Sequence, residues 1–241
     1  MKKPLIITML AVTATLSACT VPQMALQSDF KQQAEELPVE GRKMLKPNGD
    51  FTIGTYTVTN VKRGWVQKSG TNIFGYNENE ATQKYQLSLR NSQGQEWSMI
   101  SGSYLGIKSW EDGKGLTIEL SPNMEYYVSK ITSPEGEEWR LITVDPRHYF
   151  KRKEFFGELS NGTTTFKIDP VYKFEGKGLP LSEIVGYEFR DSGSVVGAVQ
   201  VINGGKVWLN PDLQSDTRTV IASAMASFLL YNKLEESFQD N

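Results

Sequence analysis

The chain has little of what most enzymes and small secreted scaffolds depend on, with one cysteine, one histidine and no excess of basic residues among 241. A single cysteine excludes an intrachain disulfide, and a single histidine leaves a zinc enzyme without its usual ligands. Lysine and arginine number 26 against 28 acidic residues, whereas nucleic-acid-binding domains are usually basic. We therefore expect no nucleic-acid partner, no metal and no cofactor, and a core large enough to fold without disulfides.

The only cysteine, Cys19, follows a short apolar run with a basic start. Lys2 and Lys3 precede an uncharged segment, Leu5–Leu16, which is shorter than the ~20 residues that span a bilayer. The sequence Leu16-Ser17-Ala18-Cys19 then resembles the lipobox of bacterial lipoproteins. The resemblance implies a signal peptide over residues 1–18, cleavage before Cys19, and lipidation of that residue by a diacylglycerol and a further acyl chain such as palmitate.

The lipid anchor also predicts where the protein works. In enterobacterial lipoproteins an aspartate directly after the cysteine tends to retain the protein in the inner membrane, and here that residue is Thr20. The resemblance therefore implies the outer membrane, with the protein facing the periplasm. The alternative, an ordinary cleaved signal with an accidental cysteine, would leave a reactive thiol in an oxidising compartment. A membrane-spanning helix is the other alternative, which the short apolar run disfavours.

After Cys19 the chain is predicted to divide into a tether and one β-rich domain. Residues 19–50 form the lipid-anchored tether, with a short helix over Ser28–Leu37 that begins at Ser28 and stops at Pro38. From residue 51 onward, short runs of branched and aromatic residues alternate with Gly, Asn, Ser and Pro, which is typical of antiparallel strands. We predict a single periplasmic domain over 51–241 that ends in a helix over 215–236.

Two segments of this domain are similar to each other, without gaps, at an offset of 42 residues. Residues 85–101 and 127–143 each contain a strand, a turn with a glycine, a glutamate followed directly by a tryptophan, and an apolar return strand. The pattern predicts two β-hairpins closed by turn chemistry. A propeller is the alternative, but two copies favour a local duplication or two convergent hairpins. Trp97 and Trp139 occupy equivalent positions and are expected to pack, with a sugar-stacking platform as the alternative.

The C-terminal part suggests an architecture. Residues 220–231 carry no charge on any face, so this part of the helix should be buried on all sides. Antiparallel hairpins followed by one apolar helix, over residues 51–235, resemble the tubby C-terminal and scramblase-like folds. The resemblance implies a closed β-barrel around the helix, and it transfers no phosphoinositide-binding residue. An open sheet or sandwich with the helix on one face is the alternative. Strands are predicted at 163–168, 171–174, 186–190, 195–202 and 206–209.

A candidate contact surface is a run in which cations and aromatics alternate, over residues 147–156. On an anchored protein this mixture fits anionic lipid headgroups or a glycolipid, and a strand edge whose lysines prevent aggregation is the alternative. The cations predicted to make the contact are Arg147, Lys151, Arg152 and Lys153. His148 with Asp145 is considered as a catalytic base and its orienting partner, but no nucleophile accompanies them, and we predict no catalytic residue.

These observations favour a non-enzymatic outer-membrane lipoprotein that acts as a binding or envelope-assembly module. Its expected partners are the membrane, through the lipidated N-terminus, and an envelope protein or glycolipid. One alternative is a periplasmic glycan hydrolase, which needs two carboxylates at a set separation that a sequence does not give. The other is a lipid- or glycolipid-binding protein. The carboxylates considered for hydrolysis are Glu96, Glu111, Asp112, Glu137 and Glu138.

Overall fold

The computed structural model describes residues 21–43, 48–64, 76–77, 81–105, 109–111, 117–119, 124–147, 149–231 and 234. The predicted signal peptide, Cys19 and His148 lie outside these residues. The helices are α1 (Ser28–Gln33), a 3-10 helix (Tyr149–Glu154) and α2 (Ser215–Leu230). The strands are β1 (Glu35–Glu40), β2 (Phe51–Ile53), β3 (Tyr56–Arg63), β4 (Tyr76–Asn77), β5 (Ala81–Arg90), β6 (Glu96–Leu105), β7 (Ser109–Glu111), β8 (Thr117–Glu119), β9 (Glu125–Thr132), β10 (Glu138–Asp145), β11 (Phe156–Ser160), β12 (Thr165–Val171), β13 (Gly186–Asp191), β14 (Ser194–Gln200) and β15 (Lys206–Leu209).

Twelve strands close into one antiparallel barrel, which confirms the mainly β fold and decides for a barrel over a sandwich. The order around the barrel is β1-β15-β14-β13-β12-β11-β10-β9-β6-β5-β3-β2, and β1 pairs with β2 to complete the ring. The strands β4, β7 and β8 form a separate three-stranded sheet. Closure pairs every barrel strand on both sides, so the barrel has no open edge for another chain to extend.

The two similar segments form equivalent hairpins, β5–β6 and β9–β10, which lie side by side because β6 pairs with β9. The N–H of Asn91 donates to the Gln95 carbonyl in the first turn, and the N–H of Ser133 donates to the Glu137 carbonyl in the second. The side chains of Asn91 and Ser133 each accept two backbone N–H groups of their own turn. The hairpin prediction is confirmed, and the closed barrel rules out a propeller.

Helix α2 lies inside the barrel. Every residue from Thr219 to Leu230 is buried, and the helix contacts β14 and β15 on one side and β5, β6 and β9 on the other. Gly197 on β14 permits the close approach, because a Cβ there would lie 2.6 Å from Cε of Met225. The buried helix is confirmed, but it ends at Leu230 instead of residue 236, and Tyr231 already has an extended backbone.

The barrel begins well before residue 51, where the sequence analysis placed the start of the domain. Helix α1 ends at Gln33 instead of Leu37, and Glu35–Glu40 form β1, which pairs with β15 and β2. Strand β1 was not predicted because it contains three glutamates and Pro38, and only Leu37 among its side chains is buried. The closing strand of the barrel is therefore supplied by part of the predicted tether.

The residues before β1 pack on the outside of the barrel, and we call residues 21–34 the strap. Met24 and Phe30 of the strap belong to one buried apolar cluster with Val195, Ala198 and Trp208 of β14 and β15. The opposite faces of these strands pack on α2 within the main core. This two-sided burial explains why β14 is apolar almost throughout, as expected for a strand covered on both faces.

Candidate functional site

A groove of about 540 Å³ lies on the outside of the barrel, between the strap and β12. Its volume lies within the range of small-molecule sites, roughly 300–1,000 Å³. The surface that the groove exposes is mostly apolar, and charged groups stand among the apolar ones. The lining residues are Ala25, Leu26, Gln27, Arg152, Pro170, Val171, Tyr172, Lys173, Pro180 and Glu188.

Backbone hydrogen bonds hold the strap beside a loop that follows β12. The N–H of Ala25 donates to the Lys173 carbonyl at 2.9 Å, and the N–H of Glu175 donates to the Gln23 carbonyl at 2.8 Å. The loop, residues 172–181, closes where the N–H of Leu181 donates to the Tyr172 carbonyl at 2.6 Å. The strap and this loop are therefore two joined walls of the groove.

A buried glutamine fixes the strap to the barrel. The side-chain oxygen of Gln200 accepts the N–H of Met24 at 2.7 Å, and its nitrogen donates to the Pro22 carbonyl at 3.3 Å. Gly186 makes room for the strap, because a Cβ there would lie 2.3 Å from the sulfur of Met24. Met24 and Gln200 are 176 residues apart in sequence, so no local pattern could have revealed this contact.

The charged groups of the groove favour a negative ligand. The lining contains two cations, Arg152 and Lys173, and one carboxylate, Glu188, which is ion-paired with Arg190 at 2.5 Å. Burial raises the pKa of Glu188, although the charge of Arg190 opposes this shift. Burial also raises the pKa of Tyr172 to about 12, so its hydroxyl stays protonated at neutral pH. A ligand with an apolar body and an anionic group matches this lining.

Of the four cations predicted from the sequence, one lines the groove. Arg152 lines the groove, while Lys151 and Lys153 are exposed on the same 3-10 helix. Arg147 is half-buried, with a φ of 56°, and its N–H donates to Oδ1 of Asp145 at 2.9 Å. The strand-edge alternative is wrong for residues 149–154, because they form a helix.

Three of the carboxylates considered for glycan hydrolysis have described side chains, and each of the three is bound to a different polar partner. Glu96 pairs with Arg90, Glu137 accepts from the Asn161 side chain, and Glu138 pairs with Lys130. Asp112 lies outside the described residues, and so does the side chain of Glu111. The tryptophans predicted to pack, Trp97 and Trp139, are 2% and 7% exposed within the main core.

Two buried acids that the sequence analysis did not pair lie opposite each other at one end of the barrel. Glu125 on β9 is the cross-strand partner of Asp145 on β10, and both are buried. Oε1 of Glu125 accepts the Tyr231 hydroxyl at 2.7 Å and the N–H of Leu234 at 2.9 Å. Burial, and then the charge of Glu125, raise the pKa of Tyr231. The Glu125 side chain therefore binds the chain just after α2.

Among the described residues, no group of three His, Cys, Asp or Glu side chains forms a metal site. None of the helices in these residues is both long and apolar enough to cross a membrane. The chain matches no protein-family model, no curated protein and no solved structure. The resemblances to bacterial lipoproteins and to tubby and scramblase-like folds therefore stay predictions.

Proposed function

We propose that this protein is a non-enzymatic binding module of the bacterial envelope, anchored in the outer membrane through Cys19, whose groove binds an anionic amphiphile. The observation that carries the proposal is the lining of the groove, in which an apolar surface stands beside Arg152 and Lys173. A lipid or glycolipid combines these two properties, since its acyl chains are apolar and its headgroup accepts charge-assisted hydrogen bonds.

The glycan hydrolase is less well supported by the groove. Hydrolysis by a carboxylate pair needs two acids that flank the substrate, whereas Glu188 is the one carboxylate among the lining residues and is held by Arg190. Glu125 and Asp145 are buried, and Glu125 accepts hydrogen bonds from the chain around α2. An envelope-assembly role stays open as an outcome of the test below.

The test fills the groove and measures lipid binding. The lipidated protein would be titrated with a fluorescent short-chain phosphatidylglycerol, and with the phosphatidylcholine analogue for comparison. Ala25→Trp places a large ring in the groove while it keeps the backbone hydrogen bond to Lys173. We expect it to weaken phosphatidylglycerol binding about tenfold, equivalent to about 1.4 kcal/mol. Gln86→Trp, at an exposed position of β5 outside the groove, is the matched control and should bind normally.

A second pair of variants tests the charge of the groove. Lys173→Glu should weaken binding of phosphatidylglycerol more than binding of phosphatidylcholine, and Lys62→Glu, exposed on β3, should change neither. Equal binding by wild type and Ala25→Trp would overturn the lipid-binding proposal. Crosslinking of one envelope protein in intact cells, lost in Ala25→Trp, would instead establish the assembly role.

A further inference from the structure

We infer that the barrel lies against the leaflet that carries its anchor, with the face around Leu179 and Phe150 toward an anionic lipid surface. This inference rests on the lipid anchor proposed above and adds an orientation to it. Three observations carry it, namely the short reach of the chain between Cys19 and the barrel, the exposed apolar side chains around the groove, and the local charge.

The chain is held to the barrel only four residues after the anchor. Gln23 and Ala25 are hydrogen-bonded to the 172–181 loop, and Met24 is fully buried. The four residues from Cys19 to Gln23 can span at most about 14 Å even when extended. The lipidated residue must therefore stay close to the 172–181 loop, so this side of the barrel is the one nearest the membrane.

The most exposed large apolar side chains lie on the same side of the barrel as the 172–181 loop. Phe150 is 85% exposed, Leu179 is 83% exposed and Val21 is 57% exposed, the three highest values among the described large apolar residues. Val21 begins the strap, Leu179 precedes the groove residue Pro180, and Phe150 lies two residues before Arg152. Apolar and aromatic side chains exposed together beside a lipid anchor fit insertion at the level of the headgroups.

The two segments that contain Phe150 and Leu179 carry a net positive charge. Residues 147–154 and 172–181 contain six cations and two acids, a net charge of +4, although the whole chain has a formal charge of −2. One of the two acids, Glu175, is ion-paired with Lys31. A basic surface on an acidic protein, placed next to the anchor, complements an anionic leaflet.

The experiment places one fluorescent label at a chosen position through an introduced cysteine. Cys19 is the only cysteine of the chain, and lipidation consumes its thiol, so Leu179→Cys or Phe150→Cys would carry the one reactive thiol of the lipidated protein. Each variant would be labelled with an environment-sensitive fluorophore and reconstituted into phosphatidylethanolamine–phosphatidylglycerol vesicles, some containing a lipid-borne quencher. Ile100→Cys is the matched control, since Ile100 is also apolar and exposed but lies on β6, four strands around the barrel from β12.

We expect labels at positions 179 and 150 to shift to the blue and to be quenched several-fold more than the label at position 100. Lys151→Glu together with Lys153→Glu should reduce this quenching. The protein could float with the vesicles while the labels at all three positions emit as they do in water. That result would overturn the orientation and leave the anchor intact. Equal quenching at all three positions would overturn it as well. Failure of the protein to float with the vesicles would refute the anchor and, with it, this inference.

Discussion

The hydroxyl of Tyr85 caps the buried C-terminus of α2, which makes Tyr85→Phe a sharp test of how the barrel holds its helix. This hydroxyl donates to the Ser227 carbonyl at 2.7 Å and is hydrogen-bonded to the Tyr127 hydroxyl at 2.6 Å. The usual helical donor to the Ser227 carbonyl would be the N–H of Tyr231, which bonds to the Phe228 carbonyl instead. Without the Tyr85 hydroxyl, the buried Ser227 carbonyl would lose its hydrogen-bond donor.

Tyr85→Phe should destabilise the protein because it removes both hydrogen bonds of the Tyr85 hydroxyl. Leaving a buried acceptor unsatisfied costs about 1–3 kcal/mol, so Tyr85→Phe should lower the free energy of unfolding by about 2 kcal/mol. For a chain of this size, 1 kcal/mol corresponds to about 2–4 °C, which predicts a fall in Tm of about 4–8 °C. Burial raises the pKa of Tyr85 well above its ordinary value, so the hydroxyl stays a donor and the difference should not change between pH 6 and about pH 9.

The assay is thermal unfolding followed by circular dichroism, with urea unfolding as a second measure. Tyr172→Phe is the control, because the Tyr172 hydroxyl makes no hydrogen bond to the described residues, and its Tm should stay within about 1 °C of wild type. If the Tm of Tyr85→Phe equalled that of Tyr172→Phe, the proposed capping of α2 by the Tyr85 hydroxyl would be refuted. A difference that vanished at high pH would refute the assignment of Tyr85 as a persistent donor.

Three further variants test the packing of the helix, the strap and the groove. Gly197→Ala should destabilise the protein by about 1–3 kcal/mol in urea unfolding, because its Cβ would press on Met225, whereas Gly178→Ala, with nothing within 4 Å, should not. Gln200→Ala should raise amide hydrogen exchange of strap residues 23–26 by roughly tenfold or more while barrel strands keep their protection. Burial raises the pKa of Glu188, so this residue contributes stability below its unfolded pKa that is lost as pH rises through the higher folded pKa. In urea unfolding, the wild type should lose stability relative to Glu188→Gln as the pH rises above about 4, where the unfolded glutamate ionises, and an unchanged pH dependence would contradict the raised pKa.

The parts of the fold that local sequence determines were predicted well. The turns at 91–95 and 133–137 are closed by their own side chains and backbone, so their sequence similarity was enough to predict both hairpins. A helix without a charged face that is too short to span a bilayer must be buried in the protein, which made α2 predictable. The strand β1 escaped prediction because its glutamates and Pro38 are unusual in a strand, and it is held there by partners in β2 and β15.

By itself, the sequence determined the lipobox-like segment, the mainly β class, the buried helix and the cationic run over residues 147–156. The tertiary structure decided that the strands close into a ring, that the strap crosses β13–β15, and that Arg152 faces the same groove as Lys173. The physical reason is the range of the interactions. Turns and helix faces depend on residues a few positions apart, whereas the groove depends on contacts such as Met24 with Gln200, which are 176 residues apart in sequence and meet only in the folded chain.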